Sequence, residues 1–346
     1  MVPVFDGHND LLTQLHGAGA AAAEQFAAGL PGHIDAVKAK TGGFRGGLFA
    51  VWIPSPLDAD DLFEKMKQMR YDLPLPAEVS QGEALVVARE QVALLRRLEE
   101  LGALTVCEDV AAIERTMAED RIAAVLHFEG AEAIDPDFQV LEEMHRAGLR
   151  SLGPVWSRPT RYGHGVPFRF PSWPDIGDGL TPDGERLVKR CNELKIMVDL
   201  SHINEAGFWD VARISDAPLV ATHSNAHALC PHARNLTDKQ LDAIAESDGM
   251  VGLNFAVAFL RGDGGMHADT PVSDMIGHLD HLIARLGEDR VGLGSDFDGA
   301  VVPEEIGSSA GLPTLVEAMR EAGYGEALIE KICWRNWLRA LDKSWT

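Results

Sequence analysis

The chain has 346 residues, 46% of them hydrophobic, which is ample for a large core and leaves no segment polar enough to stay disordered. Its 31 Lys and Arg against 53 Asp and Glu give a net charge of −22 at pH 7, a balance that repels nucleic acid and anionic membrane surfaces and argues against both as partners. An α/β barrel of this length folds as one unit, so a single domain over residues 1–346 is the expectation.

The N-terminal MVPVFDGHND lacks the basic, apolar and cleavage regions of a signal peptide and runs straight into Val2–Phe5, the first expected strand. Further short apolar runs follow at Gly47–Ile53, Ile122–Phe128, Leu149–Val155, Met197–Leu200, Leu219–Thr222, Met250–Phe255 and Val291–Gly294. Helical patterns lie between them at Glu78–Leu101, Phe138–Ala147, Pro182–Leu194, Asp238–Glu246, Val272–Leu286 and Leu312–Ala322. Thr237 with Gln240 reads as a capping box, and Thr181 followed by Pro182 places proline at the first helical position. Alternating strands and helices predict parallel βαβ units, and eight of them predict a closed (β/α)8 TIM-type barrel, with a doubly wound open sheet as the rival fold. No run reaches the ~18 consecutive apolar residues of a membrane span. The four scattered cysteines read as reduced structural thiols, so the expected location is cytoplasmic.

Run after run ends in the same kind of chemistry: FDGHND, HFEG, DLSH, ATHSN and GSDFDG. In a barrel, every strand delivers its C-terminal end to one mouth, where active sites are built. The long interruptions at 54–77 and 156–180 follow strand ends and would overhang that mouth as walls or lids. His8 and Asp10 stand two apart, on one side of an extended segment, and can chelate one divalent ion. Glu129, His202, His223 and Asp296 each follow a different apolar run. Burying such groups unpaired would cost several kcal/mol each, on the order of a lost ion solvation shell, and a metal removes that cost. Imidazole nitrogens and carboxylate oxygens are donors that a divalent ion in a catalytic site takes.

These motifs, in this order and followed after ATHSN by the CPHARN of Cys230–Asn235, resemble the membrane (renal) dipeptidase family of the amidohydrolase superfamily, from residue 5 to about residue 300. The resemblance implies two Zn²⁺ ions, one held by His8 and Asp10, the other by His202 and His223, bridged by Glu129 and a hydroxide. It makes Asp296 the proton shuttle, working with Glu129 in the catalytic centre, and gives Arg234 the carboxylate of a small dipeptide-like substrate, L,D-dipeptides included. It also implies a homodimer. The chain departs from the family where GPVWSRP places Trp156 at a position usually held by histidine and Ser157 at one held by asparagine. His127, which shares the face of Glu129, and His164 are the candidates to replace the lost substrate contact, with Trp156 itself in the pocket. Two rival readings use the same residues: a binuclear zinc amidohydrolase acting on another amide, an N-acyl amino acid or a lactam, and a non-catalytic metal-containing binding barrel. Asp298 is expected to shape its turn, His278 and His281 to pack their helix, and Trp334 with Trp337 to bury the last helix against the barrel.

Overall fold

Eight parallel strands wind into a nearly closed barrel in the structure, a computed structural model that describes residues 1–19, 21–55 and 59–346. In chain order they are β1 Val4–Asn9, β2 Phe44–Trp52, β3 Ala123–Glu129, β4 Leu149–Gly153, β5 Met197–Val198, β6 Val220–Ala221, β7 Met250–Asn254 and β8 Val291–Gly294. All eight fall on the apolar runs expected to form strands. They pair in the order β5-β4-β3-β2-β1-β8-β7-β6. The seam between β5 and β6 closes through a single bridge, Asp199 to Val220, with the Leu200 N–H donating to the Val220 carbonyl at 2.8 Å. The open-sheet alternative is thereby set aside.

Cap chemistry sets the helix ends. Pro182–Leu194 starts where Thr181 accepts a hydrogen bond from the Gly184 N–H, and Asp238–Glu246 starts at the complete Thr237–Gln240 capping box. Those two helices and Val272–Leu286 match their expected bounds residue for residue.

The barrel interior is layered. On β3 the alternation puts Ala123, Val125, His127 and Glu129 on one face, rising from floor to mouth. The register sets Leu48 beside Val125, Ala50 beside His127 and Trp52 beside Glu129, while Ser151 meets His127 on the other side. The floor is apolar: Phe5, Leu48, Val125, Met197, Val220 and Met250 pack with Trp337 of the last helix, Asn336–Trp345. The Trp337 indole N–H donates to the Leu293 carbonyl at 2.8 Å, so this polar atom is satisfied inside the plug. A Cβ at Gly7 or Gly252 would collide with that indole and with the Thr222 carbonyl, so only glycine fits at either position. Trp334 stays half-buried beside the same cluster.

Two strand pairings lie beyond the expected strands: Thr105–Val106 runs parallel beside β3, and a second pairing spans the mouth. Tyr71–Asp72 pairs antiparallel with Arg169–Phe170, strapping the two long mouth loops together, and Tyr71 Oη donates to the Gly264 carbonyl at 2.7 Å. Residues 56–58 of the first loop lie outside the described residues. All four cysteines are buried and free. No helix among the described residues is long and apolar enough to cross a membrane.

Candidate metal centre

At the mouth, five side chains from β1, β3 and the ends of β5 and β6 turn their donor atoms toward one point. Glu129 Oε1 lies 2.9 Å from His202 Nε2 and 3.4 Å from His223 Nε2, and its other oxygen lies 3.7 Å from His8 Nε2. Asp10 Oδ2 is 3.3 Å from the same His8 nitrogen. The donors form overlapping groups, His8–Asp10–Glu129 and Glu129–His202–His223, with Glu129 common to both. A third group, His8–His223–Asp296, reaches the end of β8. The backbone bends sharply to aim two of these residues, His202 at φ 67° and Asp296 at φ 58°, in the left-handed region that non-glycine residues seldom occupy.

The hydrogen bonds behind the cluster decide what it can hold. Asp199 accepts from the backbone N–H groups of Ser201 and Thr222 at 3.0 and 2.8 Å, and from Thr222 Oγ1 at 2.6 Å. Having donated its only proton, Thr222 Oγ1 must accept from His223 Nδ1, 2.8 Å away. His223 Nε2 is therefore a lone pair. Ser157 Oγ meets His202 Nδ1 at 2.8 Å and can accept its N–H, the tautomer that frees Nε2 for a metal. The two Nε2 atoms then face each other 3.1 Å apart, an arrangement that repels unless a cation stands with them.

Charge points the same way. Burial first, then the nearby charges of Arg234 and His8, hold His202 and His223 well below the usual histidine pKa, in the neutral form a metal requires. Burial raises Glu129 well above the carboxylate range. At His8 burial works against the imidazolium, but Glu129 and Asp10 outweigh it and push its pKa up to about 10, a measure of the positive charge these carboxylates demand. The donor set fits divalent metal ions.

Asp296 stands beside the cluster. Burial raises its pKa, with His8 opposing and Asp10 adding to the rise, and Asn254 Nδ2 donates to its Oδ2 at 3.0 Å. Arg234 is buried, donating to the His223 carbonyl at 3.0 Å and Ser224 Oγ at 3.2 Å, while its Nε has no partner. Burial lowers its pKa only to about 10, so it keeps its charge at pH 7, and no carboxylate among the described residues forms an ion pair with it.

A cavity of about 330 Å³ opens over the cluster, with Asp10, Glu129, His202 and Asp296 on one wall and Trp52, Trp156, Phe168 and Phe259 on another. Trp156 thus faces the cavity. His127 does not: its Nδ1 bonds Ser151 Oγ at 2.8 Å one layer below Glu129, and its ring meets the edge of His8 at 5.5 Å. His164 is half-buried, its carbonyl taken by the Asn204 N–H at 3.3 Å. Neither is among the described residues lining the cavity, and neither is Arg234, which stands 5.8 Å from the ring of Phe259, a residue that does line it. Asp298 does more than shape its turn, since it lines the cavity while accepting from the His33 N–H at 2.5 Å.

Sequence reasoning missed the supporting residues Asp199, Thr222 and Ser157, and the fully buried Arg158–Glu132 pair. Arg158 meets Glu132 at 2.6 Å and also donates to Ser55 Oγ at 2.7 Å and the Ile53 carbonyl at 3.0 Å, joining the loops after β2, β3 and β4. One signal was available: a carboxylate inside the apolar run MVDL is costly without partners.

The membrane dipeptidase family model, peptidase family M19, matches residues 1–344. A metallo peptidase from Rhodobacter sphaeroides, solved with a phosphinate mimic of the dipeptide L-Ala-D-Ala, is 52% identical, with a TM-score of 0.98 over 99% of both chains. The crystal structure of a metallo peptidase named dipeptidase AC, also of family M19, is 52% identical, with a TM-score of 0.97 over 99% of both chains. The dipeptidase tcpJ of Claviceps purpurea is 30% identical over 257 residues, 73% of this chain and 58% of that protein.

Proposed function

The chain belongs to the membrane dipeptidase family, peptidase family M19, which makes it a metallo-dipeptidase, and from that premise we propose that it hydrolyses small dipeptides with two zinc ions at the barrel mouth. His8 and Asp10 would hold one ion, His202 and His223 the other, and Glu129 both. When bound, such a pair acts as a Lewis acid and makes water a nucleophile near neutral pH. The observation that carries the reading is the convergence of these five donors beside a buried guanidinium that has no carboxylate of its own.

The side chains divide the remaining work. Arg234 takes the free carboxylate of the substrate in a charge-assisted pair, which orients the peptide bond toward the cluster. Asp296 accepts the proton that water loses on attacking the carbonyl carbon and delivers it to the leaving nitrogen as the C–N bond breaks. Asn254 fixes one oxygen of Asp296 and leaves the other to exchange that proton. Ser157 and Thr222 keep the Nδ1 atoms of His202 and His223 occupied, so that Nε2 faces the cluster. The L-Ala-D-Ala mimic in the Rhodobacter relative supports L,D-dipeptides as substrates.

The test is hydrolysis of L,L-, L,D- and D,L-dipeptides by the zinc-loaded protein beside its Asp296→Asn variant. Turnover that disappears in the variant is expected. Protein holding about two zinc ions that turns over no dipeptide would sink the proposal and favour another amide.

A further inference from the structure

Beside the candidate metal ligands, the cavity is lined by a continuous belt of aromatic rings. Phe259 stacks on Phe168 at 6.0 Å, Phe168 meets Trp156 at 5.7 Å, and Trp156 meets Trp52 at 5.2 Å. The belt begins beside Arg234, whose guanidinium lies 5.8 Å from the Phe259 ring, and passes His202 at 5.8 Å from Trp156. It ends at Trp52, the register partner of Glu129. Met66 and Met266 extend the apolar surface on the same side. The belt is held in place: the Phe168 carbonyl accepts from the Leu73 N–H at 3.0 Å next to the strap, and Phe259 is only 6% exposed.

Resting on the dipeptidase reading, we propose that this belt makes the enzyme selective for dipeptides whose carboxyl-terminal side chain is uncharged and apolar. The order of groups along the cavity carries the argument. With the substrate carboxylate on Arg234 and the scissile carbonyl at the metal-binding cluster, the carboxyl-terminal residue lies between them, and Phe259 and Phe168 flank that interval. An apolar side chain there trades water for aromatic surface. A polar amide there would lose its water without gaining a partner. An acidic one fares worse, because Asp296 and Asp298 line the cavity and Arg234 is already taken by the substrate carboxylate.

The experiment compares kcat/KM of the zinc-loaded enzyme for L-Ala-D-Xaa and L-Ala-L-Xaa with Xaa as Leu, Met, Asn, Asp or Lys. Leu and Met should exceed Asn by at least about 10-fold and Asp by about 100-fold, the range open to an apolar pocket that leaves polar groups unpaired. Phe168→Ala should bring the Leu to Asn ratio toward one, and the wild-type series alone tests the proposal if that variant does not fold. Asn or Asp within threefold of Leu would overturn it, and so would a preference for Lys, which would mark the belt as a cation cage. Turnover without side-chain preference defeats this inference alone, whereas turnover of no dipeptide defeats the dipeptidase reading and this inference with it.

Discussion

The floor and the mouth of the barrel are built on the same eight strands, a few residues apart, yet they are held together by opposite means. At the floor, Phe5, Leu48, Val125, Met197, Val220 and Met250 close around Trp337, and that contact is complete in itself. At the mouth, the same β3 face that carries Val125 carries Glu129, surrounded by imidazoles and carboxylates whose charges balance only with cations. The floor therefore supplies stability without ligands, and the mouth concentrates function at a local energetic cost.

The sharpest way to break this contrast is to exchange the two effects. Asp296→Asn should lower kcat by about 10²- to 10⁴-fold, the usual weight of a general acid–base group, while the thermal unfolding midpoint holds or rises. A fall in stability as large as the fall in activity would mean that the mouth also carries the fold. Trp337→Ala should do the reverse, costing about 3–5 kcal/mol in denaturant unfolding as the floor loses its plug. Zinc-loaded protein that survives this change should keep its preference among dipeptides.

Between these extremes, Thr222→Val should weaken zinc binding about 10- to 100-fold in a chelator competition, because His223 loses the partner that fixes its tautomer. Thr222→Ser should restore most of it. Unchanged affinity in the valine variant would show that His223 is oriented by packing alone.

The smallest effect concerns the loops of the mouth. His278, buried on an outer helix, accepts from the Ala226 N–H at 3.1 Å and bonds the Leu260 carbonyl at 2.9 Å, which requires a neutral ring. Burial lowers its pKa to about 4. Between the unfolded value near 6.5 and pH 4, the unfolded chain takes up a proton that the folded one refuses. The stability His278 contributes is thus whole above about pH 6.5 and is lost as pH falls, by about 2 kcal/mol at pH 5. His278→Gln should unfold with a shallower pH dependence over that range, and equal slopes would assign the acid sensitivity to other groups.

Much of this was legible before any coordinates, for reasons that differ by region. Helices announced by Thr181-Pro182 and by the Thr237 box began where their caps stand, since capping is local chemistry. The clustering of the candidate metal ligands was legible because each sits just past an apolar run. The strap escaped notice because Tyr71–Asp72 and Arg169–Phe170 each pair an aromatic with a charged residue and make no apolar run. Ser157 was visible as a departure in GPVWSRP, but its bond to His202 exists only once a loop brings residues 45 apart together. His127 illustrates the converse: its face was read correctly, and its depth, one layer down on that face, kept it from the cavity.

The β5–β6 seam has a consequence for how this protein can change over generations. Asp199 bridges the two strands where the barrel closes, and the same carboxylate anchors Thr222 and through it His223. A substitution that tuned the grip on metal would also loosen the closure of the barrel, so natural variation should steer around Asp199 and accumulate in the loops that shape the cavity wall.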